Sequence, residues 1–157
     1  QQMLAVCRYA TTELGITQIV IDSLMKCVKG EDDMNGQKDF VNALCALSRD
    51  SGVHIHLVHH MRKGSDEKSI GGKLDLKGSG SITDQADNVF IVWKNKEKAQ
   101  IVAENPHHFD REVPDAVLVC EKQRNGEWEG KMKLWFDYKS QQYIQEADTP
   151  IHNYLGQ

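Results

Sequence analysis

The sequence predicts an α/β fold: a mostly parallel sheet flanked by helices, with an antiparallel hairpin at its C-terminal edge. Three observations predict it. Short apolar runs rich in β-branched residues recur at 19–21, 53–59, 88–93 and 116–120, as strands buried on both faces do. A helical apolar spacing precedes each of the first two, and successive helix–strand units argue for parallel pairing through right-handed crossovers. Finally, 131–136 and 142–144 flank a turn-forming stretch, the pattern of a hairpin.

The chain has 157 residues, 39% hydrophobic and 27% charged, which is enough for one domain with a sizeable core. No apolar run approaches the roughly 20 residues of a membrane span, so no membrane partner is expected. The start, Gln1-Gln2-Met3, has no basic head and apolar core of a signal peptide, and beginning on Gln suggests a piece of something longer. Cys7, Cys27, Cys45 and Cys120 show no C-x-x-C spacing and read as reduced core thiols. With 19 basic against 23 acidic residues the net charge is -4, so any nucleic-acid argument has to be local.

Met3, Leu4, Val6, Cys7 and Ala10 mark a first helix over 1–14, with Gly15 suited to close it. Ile19-Val20-Ile21-Asp22-Ser23 follows, an apolar strand ending on a carboxylate and a hydroxyl. Ligands sit beyond the carboxyl ends of strands in open α/β sheets, so Asp22 falls where chemistry happens, in the pattern of a Walker B aspartate that holds nucleotide-bound Mg²⁺; a strand that merely stops at a polar loop is the plain alternative, and the commoner one for such a run taken alone. The acids Glu31, Asp32 and Asp33 read as a solvated loop, because no cation-ligand spacing repeats. Phe40, Val41, Leu44 and Leu47 then share one face of a helix over 37–50, ended by Ser51-Gly52.

The second strand carries His54, His56, His59 and His60. A flat strand face converges poorly on one ion, so no zinc site is expected. His60 stands apart: it lies at the carboxyl end of its strand, beside the end that carries Asp22, where an imidazole can donate to a phosphate oxygen. Residues 61–80 hold five cations against three acids and five glycines in an otherwise acidic chain. A basic, glycine-rich loop on the working edge suits phosphate contact, while a solvated surface loop is the plain alternative. Residues 81–87 read as one or two helical turns and 94–114 as a polar surface insertion without a site. After the strand 116–120 come Lys122 and Arg124, two cations able to reach one anion.

The order of these parts resembles the C-terminal RecA-like motor domain of DnaB-type replicative DNA helicases, including phage primase-helicases and the mitochondrial helicase Twinkle. Four stretches carry the likeness. Ile19-Val20-Ile21-Asp22 resembles the Walker B strand. Leu57-Val58-His59-His60-Met61-Arg62-Lys63 resembles the strand whose last residue senses the γ-phosphate. Asp75-Leu76-Lys77-Gly78-Ser79-Gly80-Ser81-Ile82, with Asp84, Ala86 and Asp87, resembles the DNA-facing loop and its helix. Lys122-Gln123-Arg124-Asn125-Gly126 resembles the K-x-R element that reaches into a neighbour's ATP site. On this likeness 1–147 is the C-terminal portion of a RecA-like helicase ATPase domain and 148–157 a tail.

The resemblance implies ATP and Mg²⁺ as cofactors, held between subunits of a ring, usually of six. Asp22 would hold Mg²⁺ through water, with Ser23 and His60 beside the nucleotide and His60 reporting loss of the γ-phosphate. Lys122 and Arg124 would act in trans on the transferred phosphoryl group. Arg62, Lys63 and Lys77, with Gly78, Ser79 and Gly80, would grip single-stranded DNA. Implied partners are that strand, identical subunits, and a primase domain or replisome proteins, in the cytoplasm of a bacterial or phage-infected cell. The implied activity is ATP-driven translocation and duplex unwinding by the intact protein.

The sequence departs from the family pattern in two respects. It contains no G-x-x-x-x-G-K-[ST], the loop that cradles phosphates, and no residue takes the place of the family's catalytic glutamate. The chain by itself should therefore bind ATP poorly and hydrolyse it negligibly. A catalytically inactive RecA-like module that binds DNA or neighbouring subunits is the competing expectation. A recombinase-type or clock-type relative is a third, which the K-x-R and Gly-Ser-Gly stretches disfavour.

Overall fold

A computed structural model describes residues 2–30, 32–60, 70, 81–105, 112–146 and 148–154. The chain divides into two compact units. The first holds α1 (Gln2–Thr12), β1 (Gln18–Asp22), a 3₁₀ turn (Leu24–Lys26), α2 (Met34–Ser51), β2 (His54–Val58) and α3 (Ser81–Gln85). The second holds β3 (Asn88–Lys94), α4 (Lys96–Glu104), β4 (Ala116–Gln123), β5 (Gly130–Asp137) and β6 (Gln142–Ile144). None of the described helices is long and apolar enough to cross a membrane.

In the first unit β1 and β2 pair in parallel, in register from Gln18 opposite His54 to Asp22 opposite Val58. The strands alternate: Ile19, Ile21, Ile55 and Leu57 turn to the core, where α2 presents Phe40, Val41, Leu44 and Leu47. Each such side chain withdrawn from water contributes roughly 2 kcal/mol. Cys7 of α1 and Ile82 of α3 complete that core. The opposite sheet face is exposed, with Val20 at 68% exposure, so β1 is not buried on both faces as its apolar run suggests.

Helix α2 begins at Asp33, whose carboxylate accepts the Gly36 N–H at 3.0 Å, so one acid of the 31–33 run is a helix cap. It ends at Gly52, whose φ of 72° places it in the left-handed region and whose N–H bonds Ser48 O. A glycine takes that conformation without strain.

The second unit is antiparallel throughout, in the order β3-β4-β5-β6. The expectation of a mostly parallel RecA-like sheet is therefore corrected: the parallel part is the two-stranded β1–β2 sheet, and the larger sheet is antiparallel. The reason lies between β3 and β4. Asn95 N–H donates to Asp115 O at 2.9 Å, and the Asn95 side chain donates to Pro114 O at 3.3 Å. That closure brings the start of β4 back to the end of β3, so a stretch long enough for a crossover makes a wide hairpin instead. Within it lies α4, where a bare polar insertion was expected; Asn95 caps it by accepting the Lys98 N–H at 3.0 Å.

Candidate functional site

The parallel register decides where Asp22, expected to hold Mg²⁺, and His60, expected to sense a phosphate, stand. Asp22 ends β1 opposite Val58, and His60 follows two residues beyond Val58. Asp22 and His60 therefore share the rim formed by the carboxyl ends of both strands, and both are exposed there. In parallel sheets this is the rim that meets ligands.

Ser23 follows Asp22 through a cis peptide bond and is 2% exposed. Its carbonyl accepts the Lys26 N–H at 3.0 Å and so starts the 3₁₀ turn. The turn places the Lys26 ammonium 3.3 Å from the Asp22 carbonyl oxygen. Lys26 thus puts a cation at the same rim, a feature that the sequence reading missed. Its signal was the i+4 spacing from Asp22 across a short, glycine-free turn. Asp22, Ser23 and Lys26 border a cavity of about 350 Å³, floored by Ile19 and Ile21 and walled by α1.

A Mg²⁺ ion bound to a nucleotide takes most of its ligands from phosphate and water and one or two from carboxylates. The lone exposed carboxylate of Asp22 fits that role through water. Among the described residues, no group of three His, Cys, Asp or Glu side chains is placed to hold a metal by protein ligands alone. The strand histidines form local contacts: His54 and His56 rings lie 4.4 Å apart, and His56 Nε2 is 3.1 Å from Gln18 Oε1.

Lys122 and Arg124 belong to the second unit. β4 runs on to Gln123, so Lys122 is a strand residue, half-buried opposite Val89, where the β3–β4 register is irregular. Arg124 lies just past the strand end and is exposed. The proposed DNA-gripping residues Arg62, Lys63, Lys77, Gly78, Ser79 and Gly80 lie outside the described residues.

The family model for the DnaB-like helicase C terminal domain matches residues 1–145. A solved structure, that of a DnaB-like replicative helicase and its interactions with primase, is similar at a TM-score of 0.65 and 15% identity. The match covers 90% of this chain and 34% of that one, so the chain spans about a third of that helicase's length. At this identity the likeness is one of fold. No curated protein matches the sequence.

Proposed function

The chain belongs to the DnaB-like helicase C-terminal domain family, and from that membership we propose that it serves as a DNA-binding and subunit-interaction module of a replicative helicase, without ATP turnover of its own. One observation carries this reading: the strand ends that carry Asp22 and His60 point to one rim suited to sensing a phosphate, yet the sequence holds no glycine–lysine loop to cradle the phosphates themselves. Arg62, Lys63, Lys77 and the amides of Gly78, Ser79 and Gly80 supply contacts to the single-strand backbone. Such contacts weaken steeply with salt, because each one releases condensed counterions.

The direct test pairs two measurements on the 157-residue chain. Fluorescence anisotropy with a labelled oligonucleotide should show salt-sensitive single-strand binding, and ATP hydrolysis should stay at the protein-free background. Turnover above that background would overturn the proposal, as would binding indifferent to salt.

A second reading is favoured by the shared rim. In an intact ring, Asp22 would hold Mg²⁺ through water, with Ser23 and His60 beside the nucleotide. Bound Mg²⁺·ATP supplies the phosphoryl chemistry. His60 would donate to the terminal phosphate, and the chain leads from it within two residues to Arg62 and Lys63. That adjacency in sequence would couple phosphate sensing to the DNA-binding stretch. Lys122 and Arg124 would enter a neighbouring subunit's site and place positive charge against the transferred group.

A further inference from the structure

The sequence holds two Asn-Gly pairs, Asn35-Gly36 and Asn125-Gly126. Both asparagines are exposed, so water reaches each of them. Their backbones differ. Asn35 lies in the first turn of α2, where the Asp33 carboxylate accepts the Gly36 N–H at 3.0 Å. Asn125 lies in the turn between β4 and β5. There the Gly126 N–H reaches Gln123 O only at 3.5 Å, beyond the usual length of such a bond.

We propose that Asn125 is a site of spontaneous modification by solvent, at which its side-chain amide is converted to a carboxylate through a ring closed by the Gly126 nitrogen, while Asn35 is protected. The inference stands independently of the helicase reading. Its consequence is electrostatic: a negative charge appears one residue from Arg124 and three from Lys122.

The Gly126 nitrogen gives up its proton and bonds to the Asn125 side-chain carbonyl carbon. The bond from that carbon to the side-chain nitrogen breaks, and the nitrogen leaves as ammonia with the proton. Water then adds to one of the two carbonyls of the ring and breaks its bond to the ring nitrogen. Opening at the main-chain carbonyl leaves isoaspartate at position 125, and opening at the side-chain carbonyl leaves aspartate. Nothing is oxidised or reduced. Ring closure needs an attacking nitrogen that no neighbouring side chain screens, which glycine supplies at both pairs. It also needs a backbone free to turn that nitrogen toward the side chain. Within α2 the helical dihedrals forbid the rotation, and the Asp33 cap holds the nitrogen's proton. The β4–β5 turn imposes neither restraint on Asn125.

The test is to hold the full chain folded in warm, mildly alkaline buffer, digest samples in mild acid where ring closure is slow, and map the peptides by mass spectrometry. The peptide with Asn125 should gain one mass unit and separate into aspartate and isoaspartate forms, while the peptide with Asn35 stays unchanged. In concentrated urea, where helix and cap are gone, both peptides should convert. Gly126→Ala should suppress conversion at Asn125, because a side chain then screens the nitrogen. Conversion of Asn35 in step with Asn125 in the folded chain would overturn the proposal. So would an Asn125 that stays intact in the folded chain yet converts in urea.

Discussion

The ammonium of Lys98 stands 3.0 Å from an Asp115 carboxylate oxygen, with the lysine side chain 5% exposed and the aspartate 16%. The same ammonium donates to Val113 O at 2.7 Å, and the other carboxylate oxygen accepts the Phe136 N–H at 2.9 Å. Asp115 thereby joins α4 to the edge of β5. Replacing Lys98 with Met leaves a carboxylate shielded from water without its main counter-charge. Loss of one partner of a buried pair costs about 3 kcal/mol or more. Urea unfolding followed through the β-sheet signal should show that loss, and an unshifted midpoint would mean the pair is solvated.

Helix α2 rests on two end positions that can be tested separately. Asp33→Ala removes the acceptor for Gly36 N–H and should cost about 1 kcal/mol. Gly52→Ala forces a side chain into the left-handed region and should cost about 1 kcal/mol as well. The sites lie at opposite ends of the helix, so the double variant should show the sum in denaturant melts.

Asp137 gives the β5–β6 turn a pH dependence. The Ser140 hydroxyl and then the Ser140 amide donate to its carboxylate, at 2.6 and 2.7 Å, and hold its pKa below the ordinary value. A depressed folded pKa means that the stabilisation is full above the unfolded value and is lost as pH falls through the folded one. The Ser140 amide resonance should therefore move in an NMR titration below the usual carboxylate range. In Asp137→Asn that movement should vanish.

If the chain works within an ATP-driven ring, as the second reading of its function has it, Arg124→Ala in that assembly should lower DNA-stimulated ATP turnover by ~10³ or more while nucleotide binding persists. His60→Ala should leave hydrolysis running but uncouple it from unwinding. Lys77→Ala should flatten the salt slope of single-strand binding by about one unit. Turnover assays, unwinding assays and salt titrations read these separately. Unwinding at the unsubstituted rate in His60→Ala would remove its sensing role.

Much of the first unit was legible because its periodicities are local. The apolar positions of α2 recur at helical spacing, and the carboxylate ending β1 and the histidine after β2 follow from strand ends. The exposed face of β1 was not legible, since Val20 carries the same apolar signal as Ile19 and Ile21. The orientation of β4 was hidden for a different reason. It hangs on a backbone bond between Asn95 and Asp115, and no local pattern announces such a closure. Helix α4 escaped because its buried residue is a lysine, whose paired charge offers periodicity nothing to detect. Lys122 was expected in a loop and lies in a strand, since its polar neighbours masked the continuing ladder. At the candidate site, the Asp22–His60 rim followed from the strand order, whereas the Lys26 cation depended on a tight turn.

The Asn95–Asp115 closure also offers a practical handle. The ladder from β3 to β4 is set where the two chain ends meet, at the bond from Asn95 N–H to Asp115 O. Asn95 also caps α4, and Lys98 of that helix pairs with Asp115, so Asn95→Ala is a single change that should loosen helix and ladder together.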